Sequence, residues 1–308
     1  MKKYLISSFY YFKTLPEEDL ETIKAHIKSL AKDFNILGLM IIGTEGINTT
    51  LSTKDQEKMD SFIKSLRSYL ELPELFIKSS SSEKAPFRRF VVKIRDEIVT
   101  IGRTDIVPGE ENNHLSPEDW HKMMERDDVV VVDTRNDYEV EIGTFDKAID
   151  LKIKEFTEFS DKMKTLETDK EKPHLIFCTG GIRCEKAIYD LQEQGFKNVY
   201  QLDGGILNYI EKFPNQKFNG ECFVFDSRVS VDQNLEPSKV HSLCPQCGEV
   251  GSIEIQCKRC DSDAKICKSC HGKLEEQPSL ETCSKNCEHH YRMRPGQKGP
   301  QQKQFYHD

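Results

Sequence analysis

Eleven cysteines occur in the 308 residues, and ten of them fall into two kinds of setting. One is the run CTGGIRC (178–184), which follows the apolar HLIF and leads into EKAIYDLQEQ. A cysteine at a strand end, two glycines and an arginine entering a helix would curl backbone N–H groups around the thiol. The helix N-terminus adds partial positive charge. Such a nest favours a thiolate, a persulfide or a bound oxyanion. Gly180 and Gly181 permit the torsions that aim several N–H groups at one centre. Arg183, where it points inward, adds a fixed charge. The competing reading is a buried cysteine before a tight turn. Cys184 either resolves an oxidised Cys178 or packs within the helix, and packing is the expectation.

The second setting is a tail with four spaced pairs: Cys244/Cys247, Cys257/Cys260, Cys267/Cys270 and Cys283/Cys287. Eight thiols at two- or three-residue gaps are what two tetrahedral four-cysteine zinc sites require. Spacing leaves the pairing open between adjacent and cross-braced arrangements, with His271, His289 or His290 able to replace a sulfur. Zinc here would fold a segment that has little apolar core. Residues 239–308 carry 11 Lys+Arg against 9 Asp+Glu, so tail contact with RNA is compatible with their charge. The closing stretch, RPGQKGPQQKQFYHD, reads as flexible.

These groups need elements to hold them. The length and 37% hydrophobic content fit two or three domains, each with its own core. Residues 1–112 read as a ferredoxin-like α+β domain: a strand over Tyr4–Phe12, then a helix carrying Leu20, Ile23, Ile27, Leu30 and Phe34 at helical spacing. LGLMIIGTEGINTTLS supplies two strands, and a second helix from Asp55 carries Met59, Phe62, Ile63, Leu66 and Tyr69 on one face. LFIKS and FVVKIRDEIVTIG supply further strands, with SSSSEK between them as an exposed loop. Residues 113–222 alternate strand and helix. Ser116 caps a helix, and VVVVD, HLIFC and NVYQL are continuous apolar strands of a parallel α/β sheet. Functional loops belong at the carboxyl ends of such strands, where Cys178 stands. Residues 223–308 form the cysteine-rich tail.

A net charge of −8 argues against indiscriminate nucleic-acid binding but leaves room for a local basic surface. Neither a long apolar run nor a basic, apolar-cored leader is present, so a soluble cytoplasmic protein without membrane contact is expected. CxxC pairs in that setting favour thiolate chemistry over disulfides.

DTRNDYEVEIGTFDKAI (133–149), the Cys178–Arg183 loop and LDGGILNY (202–209) resemble the rhodanese domain. The resemblance implies Cys178 as nucleophile, Thr179, Gly180, Gly181, Ile182 and Arg183 as its cradle, and Asp133 and Arg135 as structural or rim residues. Thr144 stands where many rhodaneses have His. GTEGIN, KIRDEIVTIG, LSPEDW, CTGGIRCEKA and CFVFDSRVSV, in this order, are similar to a bacterial family, the oxygen-dependent tRNA uridine(34) hydroxylases. This resemblance covers nearly the whole chain. It implies hydroxylation of C5 of the wobble uridine to 5-hydroxyuridine, with molecular oxygen as co-substrate and the tRNA anticodon region as partner. It also implies substrate-facing roles for Glu45 and Asn48, which by themselves read as turn residues. Arg88, Arg89, Lys93 and Arg95, interleaved with Phe87 and Phe90, read equally as an exposed charge row or an RNA surface. No organic-cofactor fingerprint and no two-histidine-one-carboxylate set is visible. A peroxy or sulfenyl form of Cys178 is one route to the chemistry. The alternatives are a sulfurtransferase carrying a Cys178 persulfide, and a non-catalytic zinc-dependent binding module.

Overall fold

The computed structural model describes residues 3–109 and 113–298. The expected boundary at 112 and the last ten residues of the closing stretch lie outside them. The chain divides into two compact units, one running to Asp226 with Val231–Pro237, the other made of Ser227–Ser230 and the chain from Ser238.

The first unit holds two sheets. Strands β1 (Tyr4–Phe12), β2 (Leu37–Gly43), β3 (Gly46–Thr53), β4 (Lys78–Ser82) and β5 (Phe90–Ile94) order as β4-β1-β3-β2-β5. Helices α1 (Leu20–Asp33) and α2 (Gln56–Leu70) cover one face. Phe9, Met40, Ile42, Ile47 and Leu51 point to those helices and meet Ile23, Ile27, Phe62 and Leu66 in one core. Asp55 caps α2 through the N–H groups of Glu57 and Lys58. This is the expected βαββαβ unit with a fifth strand parallel to β2.

Three local expectations fail. The serine run is no loop but the edge strand β4, paired antiparallel with β1 from Tyr4↔Ser82 to Ser8↔Lys78. Main-chain pairing needs no apolar side chain, and an edge strand takes small polar residues readily. FVVKIRDEIVTIG is a strand only to Ile94. Beyond it, Ile98, Ile101 and Gly102 turn their N–H groups to the buried carboxylates of Glu45 and Glu97. Tyr69 is exposed and stacks on His26, while Leu70 takes the inward place on α2.

The second sheet is built from β6 (His114–Leu115), β7 (Val130–Asp133), β9 (Ile149–Asp150), β10 (Pro173–Phe177) and β11 (Asn198–Leu202), all parallel, in the order β6-β11-β10-β7-β9. Helices α5 (Phe159–Thr165) and α6 (Ile182–Glu193) pack on one face. Helices α3 (Pro117–Met123) and α7 (Gly205–Lys212) pack on the other, around Trp120, Phe177 and Tyr209. The short α4 (Asp137–Val140) and the ribbon of β8 (Gly143–Phe145) with β12 (Phe218–Gly220) complete this part.

Lys186 of α6 joins the two sheets. It is fully buried, and its ammonium lies 2.7 Å from Glu45 and 2.6 Å from Glu97. The second carboxylate is compensated by three backbone N–H donors, from Ile98 to Glu45 and from Ile101 and Gly102 to Glu97. Next to it, Glu185 accepts from Tyr10 of β1 at 2.7 Å and from Gln201 at 3.0 Å, and His114 lies 3.0 Å away. Removing one member of a buried, fully hydrogen-bonded charge set leaves the others uncompensated, at about 3–5 kcal/mol. Lys186→Met is therefore expected to lower the stability of the full chain by roughly that amount in urea denaturation, whereas Lys28→Met on the exposed face of α1 should change it by under about 0.5 kcal/mol.

Candidate active site

Cys178 follows directly on β10 and is 1% exposed. Its loop is shaped from behind by α7. The N–H groups of Ile206 and Leu207 donate to the carbonyls of Cys178 (3.0 Å) and Thr179 (3.2 Å), which turns those carbonyls away from the sulfur. A Cβ on Gly205 would lie 2.5 Å from the Cys178 carbonyl oxygen, so only glycine lets α7 approach this closely. The torsional demand of the loop falls on Gly181 alone (φ +98°), whose N–H reaches the Cys178 sulfur at 3.1 Å.

The thiol is drawn down from the ordinary cysteine value to about 6. Burial works against this but is outweighed by a hydrogen bond from Cys184, the Arg183 charge and the N–H groups of Arg183 and Gly180. Cys184 is itself fully buried, and burial together with the Cys178 charge holds it well above the ordinary value. It thus stays a thiol and serves as donor. Arg183 does not reach freely into the site. Its guanidinium forks onto Glu139 at 2.6 and 2.7 Å, and both groups are buried. Glu139 is held below its usual range, the Arg183 fork outweighing burial.

Above the sulfur lies a cavity of about 530 Å³, within the size range of small-ligand pockets. Cys178, Thr179, Gly180, Ile182 and Arg183 line one side. The outer face of the first sheet lines the other, through Ser8, Tyr10, Leu39, Ile41, Asn48 and Lys78. Asn48 also donates to the Ile98 carbonyl at 3.0 Å. Phe225 lines the cavity yet is 56% exposed, with the Arg183 guanidinium 5.8 Å from its ring centre. Of the residues singled out in the sequence, Glu45 is not in the wall; its oxygens belong to Lys186 and Ile98. Arg89 is exposed and outside the cavity. Asp133 and Arg135 are fully buried against each other, and Thr144 donates to Asp133 at 2.7 Å, so this pair is structural. Sequence reading missed Tyr10, Lys78 and Lys186, whose partners stand far along the chain. For Lys186 a signal existed: it lies in the CEKA stretch that closes the motif at 178–187.

In the second unit, the tail cysteines gather into two clusters: Cys244, Cys247, Cys267 and Cys270, and Cys257, Cys260, Cys283 and Cys287. Within each, all sulfurs lie within 4.8 Å of one another, and all eight are free thiols. The arrangement is cross-braced, and His271, His289 and His290 take no place in it. The hairpin Ile253–Gln256 with Asp263–Ile266 dictates this. It puts Cys257 and Cys260 at its tip and Cys267 at its base, next to the ribbon whose strands flank Cys244 and Cys247. The hairpin thereby separates consecutive pairs. Both clusters are compatible with metal sites.

Family models match the chain in three parts: a UPF0176 acylphosphatase-like domain over residues 4–98, a rhodanese-like domain over 116–212 and a rhodanese C-terminal domain over 219–288. The chain is 46% identical to the tRNA uridine(34) hydroxylase of Bdellovibrio bacteriovorus over 97% of its own length and 85% of that protein. It is 42% identical to the tRNA uridine(34) hydroxylase of Legionella pneumophila (strain Paris), over 80% of this chain and 96% of that one. Among solved structures, the Alr3790 protein of Anabaena sp. is similar over 34% of this chain and 91% of its own, with 17% identity and a TM-score of 0.30, too slight to carry an argument. Among the described residues, no helix is long and apolar enough to cross a membrane.

The loop geometry sets a titration. Alkylation of Cys178 by iodoacetamide, followed on its own peptide by mass spectrometry, should rise with pH about a midpoint near 6. In Cys184→Ala the midpoint should climb by about one unit, the worth of one lost hydrogen bond to a charged acceptor. An unmoved midpoint would remove Cys184 from this role.

Proposed function

The chain belongs to the tRNA uridine(34) hydroxylase family, and from that premise we propose that the Cys178 thiolate activates the wobble uridine by adding to its ring. The observation carrying this reading is a thiol drawn down to about 6 in the lining of a cavity of about 530 Å³. C6 of uracil is the β-carbon of an enone, and a thiolate bond there turns C5 into a nucleophilic enolate carbon. Molecular oxygen, the co-substrate, then delivers one atom to C5. The other atom leaves as water with two electrons and two protons from a reductant. Loss of the C5 proton expels the thiolate and gives 5-hydroxyuridine. This route uses the loop as nucleophile and needs neither the peroxy nor the sulfenyl form.

Cys178 and Arg183 are the catalytic groups in this reading. Arg183 acts by its charge on the sulfur and through the Glu139 fork. The loop residues Thr179, Gly180, Gly181 and Ile182, with Asn48 opposite, form the seat of the base. A base in this seat has left its stack, and unpaired bases are held by aromatic side chains. Phe225 at the cavity and Phe76, whose ring edge lies against Gly204, are both more than half exposed and offer such faces to the neighbouring anticodon bases. Arg89 and its basic neighbours would meet phosphates further along the tRNA. Glu45 takes a positioning role through Lys186. We assign residues 1–112 to the wall of the seat, 113–222 to the thiolate and 223–308 to a zinc-binding tail, in a cytoplasmic protein.

The sulfurtransferase alternative needs the same thiolate but gives no part to the wall from the first sheet. Bulk tRNA from cells lacking this gene should be without 5-hydroxyuridine and its derivatives, and Cys178→Ala should fail to restore them in nucleoside analysis. Full restoration by that variant would take the cysteine out of the reaction.

For the tail, sulfur pairs at 3.4, 3.5, 3.6 and 3.7 Å approach the roughly 3.8 Å edge of a tetrahedron with zinc–sulfur bonds of about 2.3 Å. The purified chain should hold two zinc ions by elemental analysis. Chelation should make the tail from residue 238 open to protease, because few apolar side chains remain there to hold it.

A further inference from the structure

Lys78 enters the cavity from the edge strand β4, far in sequence from the thiol. It is 9% exposed, and its Nζ makes one hydrogen bond, 3.0 Å to the Gly180 carbonyl of the cysteine loop. The rest of its surroundings are ring faces, Tyr10 at 4.9 Å and Phe76 at 5.5 Å. No carboxylate pairs with it among the described residues. An ammonium placed so deeply is costly unless a counter-charge faces it. The negative groups that act on it are Cys178 first, then Asp203 and Glu185. Glu185 is already held by Tyr10, His114 and Gln201, and Arg183 is held by Glu139. Cys178, which lines the same cavity and whose loop carbonyl holds the Lys78 ammonium, is the negative group that acts on it most strongly.

Substrate moves that charge. When sulfur bonds to C6, the C5=C6 pair shifts to C5–C4 and the carbonyl pair moves onto O4. One C–S bond forms, one π bond is displaced, and no proton or electron is exchanged with a further reagent. The negative charge has then left the sulfur for the oxygen of a base seated in the same cavity. We propose that Lys78 is a catalytic cation of this reaction, donating a hydrogen bond to uracil O4 as Cys178 adds to C6. The inference rests on the addition chemistry given above. It also gives the first sheet a chemical part: the rhodanese-like domain holds the nucleophile, and the other domain brings the charge that receives its electrons.

Lys78 must be protonated to donate, and Cys178 must be ionised to add. Burial draws Lys78 down to about 8, opposed by the charges of Cys178, Asp203 and Glu185, with Tyr10 and Arg183 the other polar groups facing the sulfur or the ammonium. Single-turnover hydroxylation of unmodified tRNA by the full-length protein should therefore rise with pH near 6 and fall near 8. Lys78→Met should lower the rate at saturating tRNA by roughly 100-fold or more, as loss of one donor to a developing oxyanion does, with little change in half-saturation. Lys78→Arg keeps a cation that stays charged, so it should retain part of the rate and lose the fall near pH 8. A wild-type rate in Lys78→Met, or an unchanged fall near pH 8 in Lys78→Arg, would overturn the proposal. The second arm serves even if the methionine variant does not fold. Cys178→Ala in the same assay separates the premises: activity there would sink the addition chemistry itself, whereas an inactive Cys178→Ala beside a fully active Lys78→Met would sink only the role of Lys78.

Discussion

One buried ammonium holds the first unit together. Lys186 projects from the helix that begins at the cysteine loop and reaches two carboxylates on the other domain, Glu45 in the turn between β2 and β3 and Glu97 beyond β5. Two carboxylates against one ammonium would be unfavourable in a dry interior without the three backbone donors that share them. The set is fully satisfied only when both domains are in place. Such an arrangement acts less as a source of stability than as a device of register: it tolerates one seating of the first sheet over Cys178. The cavity, with Asn48, Tyr10 and Lys78 in its wall, is a consequence of that seating.

Within this frame the Cys178 sulfur is set by exclusion and by donors. Helix α7 takes the loop carbonyls from behind, which leaves the loop N–H groups for the sulfur. Burial alone would raise the thiol. Cys184, Arg183 and the loop donors reverse the sign, and they do so because the surroundings are dry and each dipole counts for more. The fork between Arg183 and Glu139 fixes the arginine where its charge is felt, with one N–H of each terminal nitrogen given to the carboxylate. A second cation, Lys78, reaches the same cavity from the first sheet.

The tail follows a different principle. It has a small apolar cluster that includes Ile266 and three of the cysteines themselves, too little to fold on burial alone. Its organisation comes from knuckles of two or three residues that aim paired sulfurs, and from one hairpin whose length keeps consecutive pairs apart.

The sequence by itself determined the local and periodic features. The α1 and α2 faces, the parallel strands and the Ser116 cap were readable because 3.6- and 2-residue periods and capping chemistry act within a few residues. The same holds for the Cys178 loop and for the eight tail cysteines, which are marked by residue type and short spacing. Where main-chain pairing overrode side-chain character, as in the serine strand β4, the sequence misled. Only the tertiary structure decided which charges meet. Glu45 reads as a turn residue and is a buried ion-pair partner; Lys78 stands in the expected strand LFIKS and bonds the Gly180 carbonyl of the cysteine loop; the cysteine pairs combine out of order. The reason is the same in each case. These contacts join residues tens to more than a hundred positions apart, and their energy depends on dielectric and distance, which no spacing within the chain encodes.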